Sequence, residues 1–145
     1  MEITTHSSAE TKNLAAKIST SLKGGEVLAL YGELGSGKTT FTQGLLAALG
    51  IKQRLTSPTF VIYKHYKLKT GSGKFKVLNH VDCYRLAGPK DLTGIDLSEI
   101  VSDPTAITVI EWPERIEEIL PKEVIKVRFE TISENERKIT YDLRN

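Results

Sequence analysis

The spacing of apolar residues predicts alternating helices and strands in the first third of the chain. From Ser8, apolar side chains recur on one helical face, which predicts a helix that ends near Gly24. Residues 26–31 form a short apolar run bounded by glycines, as expected of a buried strand. A second helix is predicted over residues 38–49, with Gly50 at its C-terminal cap. The order is therefore helix, strand, glycine-rich loop and helix.

Strand-like patterns dominate the rest of the chain. Residues 60–68 and 74–83 are rich in β-forming residues and are joined by a glycine-containing connection, which predicts an antiparallel hairpin. The other predicted elements are short helical pieces at 89–92 and 97–101, a buried strand at 106–111, a helix from Pro113 to about Leu120, and two closing strands at 124–131 and 137–143.

Length and composition set the scale of the fold. The 145 residues, 39% hydrophobic and 26% charged, match one ordinary globular domain and not a disordered chain. We therefore expect residues 1–145 to form a single domain. The alternation of elements predicts an α/β three-layer sandwich whose sheet is mostly parallel and carries an antiparallel extension.

Cysteine content and hydropathy bear on the compartment. Cys83 is the only cysteine, so an intramolecular disulfide is excluded and a reducing environment is indicated. The N-terminus shows no basic region followed by an apolar stretch, and no run approaches the ~18 apolar residues of a membrane span. These features predict a cytoplasmic protein without a membrane partner.

One motif carries specific chemistry. Residues 32–39 read GELGSGKT and match G-x-x-x-x-G-K-[ST], between a predicted buried strand and a predicted helix, the context that this phosphate-binding motif requires. Glycines let successive amides converge on phosphate oxygens, and the helix adds its positive dipole end. Lys38 would neutralise β- and γ-phosphate charge, and Thr39 would give its hydroxyl to Mg²⁺. The motif predicts Mg-ATP binding and a P-loop NTPase-like fold.

A P-loop site also needs an acidic residue at the end of a neighbouring strand. Glu111 ends the apolar run of residues 107–110, and Asp82 ends a similar run. Each carboxylate is therefore expected at the C-terminal edge of the sheet, where ligands bind in open α/β folds. Their positions alone leave open which of the two acts on the metal.

Four blocks together give a specific resemblance. They are GELGSGKTTF at 32–41, TSPTF at 56–60, HVDCYRL at 80–86 and IEWPER at 110–115. In this order and spacing the chain resembles the TsaE family, also called YjeE. The resemblance implies an ATPase that works with TsaB and TsaD to form threonylcarbamoyl-adenosine next to the tRNA anticodon. It is consistent with an indirect contact with tRNA through the complex and leaves a direct contact open.

The resemblance also implies roles for individual residues. Lys38 corresponds to the P-loop lysine and Thr39 to the magnesium ligand, Glu111 to the Walker B-like acid and Asp82 to the catalytic aspartate. Trp112 falls on the family tryptophan beside that acid. The expected catalytic residues are Lys38, Asp82 and Glu111; the expected metal ligands are Thr39 and Glu111; the expected nucleotide-binding residues are Thr11, Gly32, Glu33, Leu34, Gly35, Ser36, Gly37, Lys38, Thr39 and Thr40.

Two further segments take expected roles from the same resemblance. The region from Ser8 to Thr11 corresponds to the part of the family that approaches the nucleotide base. Residues 57–60 correspond to a switch-like loop that includes Ser57, with Thr59 placed to sense phosphate or water.

Alternatives to this interpretation remain at the level of sequence. A free-standing small-molecule kinase would share the P-loop but would need an acceptor segment, and a nucleotide-gated interaction module would bind ATP with negligible turnover. Residues 63–76 interleave lysines with Tyr63, Tyr66 and Phe75. That pattern could contact tRNA, but a solvated hairpin with one packed aromatic face explains it more simply.

Overall fold

The computed structural model describes residues 1–52, 63–68, 75–92 and 94–143. Strands and α-helices occur in the order β1 (Glu2–Thr5), α1 (Ser8–Ser19), β2 (Val27–Tyr31), α2 (Lys38–Ala48), β3 (Tyr63–Lys67), β4 (Val77–Asp82), α3 (Leu97–Val101), β5 (Ala106–Glu111), β6 (Ile125–Thr131) and β7 (Arg137–Tyr141). Two 3₁₀ helices, Pro89–Asp91 and Pro113–Ile119, follow β4 and β5.

The described strands form one seven-stranded sheet in the order β1-β7-β6-β2-β5-β4-β3. The four central strands β6, β2, β5 and β4 are parallel to one another. The β3–β4, β6–β7 and β1–β7 pairs are antiparallel. The predicted α/β class with a parallel sheet and an antiparallel extension is confirmed, and the structure shows that the extension occurs at both edges. The single domain over residues 1–145 stays a prediction.

Helices cover both faces of the sheet because alternate side chains of the central strands point in opposite directions. Leu28 and Leu30 of β2 pack in one apolar cluster with α1 and α2. Val27 packs in a second cluster with α3 and the 3₁₀ helix Pro113–Ile119 on the opposite face. The result is the three-layer sandwich that the sequence predicts, with the P-loop helix α2 on the same face as α1.

Close contact between α1 and α2 depends on Gly44. A Cβ at this position would lie 2.6 Å from the Lys12 Cα and 2.8 Å from the Lys12 carbonyl oxygen, so any larger residue would push the two helices apart. This contact joins the middle of α1 to the C-terminal half of α2.

Three local predictions differ from the structure. The four-residue strand β1 was not predicted, because its pattern is too short to be distinguished from a loop. Helix α1 ends at Ser19 and not near Gly24, since the hydroxyls of Ser19 and Thr20 donate to the carbonyls three residues earlier. Residues 113–119 form a 3₁₀ helix interrupted at Ile116, where an ordinary helix was expected.

The predicted hairpin is confirmed where it is described. Strands β3 and β4 pair antiparallel from Tyr63 with Val81 to Lys67 with Val77. Tyr66 and Phe75 are buried in the core, which supports the packed aromatic face and removes these two rings from a nucleic-acid surface. Within the described ranges, no helix is long and apolar enough to cross a membrane.

Candidate nucleotide-binding site

The glycine-rich loop connects the end of β2 at Tyr31 to the start of α2 at Lys38. Gly35 and Gly37 adopt positive φ values of 79° and 106°, which only glycine takes without strain. Gly37 is the N-cap, and no side chain caps the helix. The first amides of α2 therefore lack both helical partners and a side-chain cap, and they are available to an anion.

Gly32 allows the loop to pass directly over β6. A Cβ at this position would lie 2.5 Å from Ser36 Oγ and 2.9 Å from the Phe129 carbonyl oxygen. Ser36 is buried, and its hydroxyl has no hydrogen-bond partner among the described residues. A buried hydroxyl of this kind is costly unless another group satisfies it.

Lys38 is the buried cation of the site. Its Nζ donates to the Gly32 carbonyl oxygen at 2.5 Å and lies 3.5 Å from the centroid of the Trp112 ring. Burial lowers the pKa of Lys38, and the negative charge of Glu111 opposes this shift. The side chain is thus held beside its own loop, in contact with an aromatic face.

Asp82 and Glu111 lie side by side at the C-terminal edge of the parallel strands. They are register partners in the last pair of the β4–β5 ladder. Burial raises the pKa of Asp82, and the negative charge of Glu111 raises it further. The backbone amide of Tyr84 donates a hydrogen bond to Asp82 Oδ1 and opposes this increase in pKa. Glu111 is buried, and its Oε2 lies 2.6 Å from His80 Nε2.

Trp112 follows Glu111 with a left-handed backbone, φ 57° and ψ 48°. It is the one non-glycine residue with positive φ in the described part of the chain. This conformation turns the chain sharply out of β5, and the indole lies over Lys38. The Tyr84 ring packs on the indole with centroids 5.1 Å apart.

These elements enclose a cavity of about 270 Å³. Of the residues that the sequence assigns to the site, the lining includes Thr11, Leu34, Gly35, Gly37, Lys38, Thr39, Thr40, Asp82, Glu111 and Trp112. Gly32, Glu33 and Ser36 belong to the loop but do not line the cavity. The predicted metal and catalytic residues, Lys38, Thr39, Asp82 and Glu111, thus converge on one cavity. Ser57 and Thr59 lie outside the described residues.

Helix α1 forms one wall of the cavity. Ser7 caps this helix by accepting a hydrogen bond from the Glu10 amide, and Ser7 and Ser8 line the cavity. The hydroxyls of Thr5 and Thr11 lie 2.8 Å apart, which links β1 to α1. The unpredicted strand β1 therefore helps to position Thr11.

The structure adds lining residues that the sequence did not indicate: Ser7, Tyr84, Glu134, Asn135 and Arg137. Three of them come from the β6–β7 turn and the start of β7, over 90 residues beyond the P-loop, and no local motif marks them. His80 has no assigned role among the sequence-based predictions above, although it begins the block at residues 80–86. Its position two residues before Asp82, on the same strand face, was the available signal that it approaches the site.

A strand, a glycine-rich loop and a helix, with two strand-end carboxylates beside the loop, define a P-loop NTPase-like protein. A sequence model described as "Threonylcarbamoyl adenosine biosynthesis protein TsaE" matches residues 5–139. The chain belongs to this family.

Similar proteins and a solved structure support this family membership. The chain is 36% identical to the tRNA threonylcarbamoyladenosine biosynthesis protein TsaE of Bacillus subtilis, over 91% of this chain and 78% of the relative. Identity to the Treponema pallidum protein of the same name is 34%, over 97% of this chain and 98% of the relative. The crystal structure of Bacillus subtilis YdiB superposes with a TM-score of 0.76 at 34% identity, covering 97% of this chain and 83% of that one.

Proposed function

We propose that this protein binds Mg-ATP and hydrolyses it in support of threonylcarbamoylation of adenosine next to the tRNA anticodon, together with TsaB and TsaD. One observation carries the ATPase proposal: Lys38, Asp82 and Glu111 line the same cavity, at the start of an uncapped helix. The family and the names of similar proteins support the proposed role in threonylcarbamoyladenosine synthesis.

The residues present fit a polyphosphate. The loop offers the amides at the start of α2 and the ammonium of Lys38, and both groups border the cavity. Lys38 is held by a neutral carbonyl and an aromatic ring, so it can move to phosphate oxygens without breaking an ion pair. Anion binding would also compensate the desolvation that lowers the pKa of Lys38.

The donor set also fits Mg²⁺, a hard cation that binds oxygen ligands and keeps several waters. Thr39 and Glu111 are the proposed ligands, and both line the cavity. When bound, the ion would neutralise charge that develops on the phosphate oxygens. No cluster of three or more His, Cys, Asp or Glu side chains suited to a metal occurs among the described residues, as expected if the phosphates complete the coordination.

Asp82 is the proposed catalytic carboxylate. It lies beside Glu111 but belongs to a different strand, so the two carboxylates can divide their tasks. Glu111 is fixed by His80, whereas Asp82 accepts a hydrogen bond from the Tyr84 backbone amide on Oδ1, which leaves carboxylate lone pairs for an attacking water. We therefore assign the metal to Glu111 and the orientation of water to Asp82.

The partners and the compartment follow from the family. TsaB and TsaD are the proposed protein partners, and contact with tRNA is proposed to be indirect, through that complex. Formation of a modified nucleoside in tRNA and the use of ATP both fit a cytoplasmic location. Ser57 and Thr59 are proposed to belong to a switch-like loop that responds to the phosphates.

The test combines calorimetric ATP binding with steady-state phosphate release. Thr39→Ala and Glu111→Gln should retain ATP binding but lose about tenfold or more in turnover, equivalent to about 1.4 kcal/mol in the barrier. Glu118→Gln, an exposed carboxylate on the following 3₁₀ helix, is the matched control and should keep full turnover. Full turnover in Glu111→Gln would place the metal-side acid elsewhere.

A screen of phosphoryl acceptors and a turnover assay with and without partners separate the alternatives. Transfer of the γ-phosphoryl group to a small acceptor in place of water would identify a kinase. Tight ATP binding without turnover, both alone and with TsaB and TsaD, would identify a nucleotide-gated interaction module.

A further inference from the structure

Arg137 connects the P-loop to the β6–β7 turn. Its NH2 group donates to the Gly35 carbonyl oxygen at 3.1 Å. Its NH1 group donates to the carbonyl oxygens of Ser133, Glu134 and Glu136 at 2.8, 3.1 and 3.0 Å. One guanidinium therefore bridges two segments that are about 100 residues apart in the sequence.

The aliphatic part of Arg137 extends this contact. The nearest atoms to a Cβ built at Gly37 are Arg137 Cγ at 3.6 Å, Phe129 Cδ2 at 3.8 Å and Arg137 Cδ at 3.9 Å. The side chain therefore packs along the loop from Gly37 to Gly35, two loop glycines with positive φ. The same arginine thus lies beside both glycines.

The charge of Arg137 is not matched by a carboxylate. Four hydrogen bonds of its guanidinium end on neutral main-chain carbonyls, and no ion pair joins it to an Asp or Glu of the described residues. Its Nε is buried without a partner, and the residue lines the cavity. A fixed, uncompensated cation beside the loop favours a strongly anionic ligand.

We propose that Arg137 is a positioning residue for the phosphates: its guanidinium binds the Gly35 carbonyl oxygen and thereby fixes the loop in the conformation that presents its amides to the ligand. This inference rests on the proposed ATP binding and deepens it. The planar fork matters because it bonds Gly35 and the turn simultaneously, which the single ammonium of a lysine cannot reproduce.

The test measures ADP and ATP affinity by calorimetry for wild type, Arg137→Gln and Arg137→Lys. Loss of a charged hydrogen-bonding group at this position should lower the affinity for ADP and for ATP by about tenfold or more. The two losses should be similar, because the loop would contact phosphates that both nucleotides share. Arg137→Lys should recover only a small part of this loss. Lys138→Gln is the matched control: it removes a neighbouring cation whose ion pairs are with Glu2 and Glu130, and it should bind normally.

A readout at the phosphates excludes a purely structural role. In the ³¹P NMR spectrum of protein saturated with ADP, the β-phosphate resonance should shift between wild type and Arg137→Lys, whereas Lys138→Gln should match wild type. Wild-type affinity in Arg137→Gln, or full recovery in Arg137→Lys, would overturn the proposal. If Arg137→Gln does not fold, Arg137→Lys decides alone by affinity and spectrum. Failure of the wild-type protein to bind ATP would instead overturn the proposed function.

Discussion

His80 Nε2 and Glu111 Oε2 lie 2.6 Å apart, and both side chains are buried at the edge of the sheet where β4 and β5 end. A carboxylate can only accept in this contact, so the imidazole is the donor. Hydrogen bonds of this type fix the orientation of a metal-binding carboxylate, and their removal lowers metal affinity or activity. His80 is thus placed to orient the proposed metal-side acid.

Replacing His80 tests this relationship. His80→Leu should weaken the response to Mg²⁺ by roughly 10- to 100-fold, with a smaller effect on ATP binding. His80→Gln, whose side-chain amide can still donate, should restore much of the loss. Phosphate release is measured across a Mg²⁺ titration, with His65→Leu on the neighbouring strand as control. An unchanged Mg²⁺ response in His80→Leu would show that Glu111 does not need this donor.

Lys38→Met should separate ligand binding from folding. Burial lowers the pKa of Lys38, so its charged form is less favourable in the folded chain than in the unfolded one. Removing the charge while keeping an apolar stem should therefore leave the free energy of unfolding unchanged or raise it. ATP affinity should fall by roughly 100-fold or more, about 2.8 kcal/mol. Calorimetry measures the ATP affinity, and urea denaturation measures the free energy of unfolding. Undiminished ATP affinity in the folded variant would show that Lys38 does not bind the phosphates.

Gly32→Ala should be more damaging than its small size suggests. The new methyl group would meet Ser36 Oγ and the main chain of Phe129 at 2.5 and 2.9 Å, and overpacking of this kind costs about 1–3 kcal/mol. Gly50→Ala is the control: it also has positive φ, but no atom lies within 4 Å of its added methyl group. Thermal unfolding should show the larger loss for Gly32→Ala, and equal losses would argue against the close approach of the loop to β6.

Local signals made the central part of the fold predictable. The strand, loop and helix around Lys38 each carry a short-range pattern: an apolar run, a glycine spacing and a helical face. Asp82 and Glu111 could be placed at the sheet edge because each ends an apolar strand. The pattern could not show that they are register partners, because strand order is decided by tertiary packing.

Residues contributed by distant segments could not be found in this way. Arg137 reaches Gly35 only because β7 pairs with β6, and β6 pairs with β2. Strand β1 is formed by its pairing with β7. Its four residues contain too few alternating positions for a strand to be predicted from the sequence. In both cases the information lies in the assembled sheet and not in the local pattern.

Trp112 should report ligand binding directly. It is the only tryptophan in the chain, and the Lys38 ammonium lies 3.5 Å from its ring centroid. If phosphates draw Lys38 away from the indole, the emission of Trp112 should change saturably as Mg-ATP is added. The control is Lys38→Met, which should show little or no change. Constant emission in wild-type protein at saturating Mg-ATP would mean that Lys38 keeps its contact with the ring.

TsaB and TsaD, the proposed partners, should stimulate ATP hydrolysis by this protein. The proposed catalytic groups line one cavity, whereas the second cavity described beside Pro89 and Leu97 contains none of them. Because the proposed function places the protein in a complex, ATP hydrolysis by the protein alone should be slow and should rise when the proposed partners stabilise a competent arrangement around the phosphates. Tenfold stimulation needs only about 1.4 kcal/mol of differential stabilisation. Phosphate release is measured for the protein alone, with TsaB and TsaD, and with these partners plus Lys38→Met protein, which should remain inactive. Rapid turnover by the isolated protein that the partners leave unchanged would favour an independent enzyme.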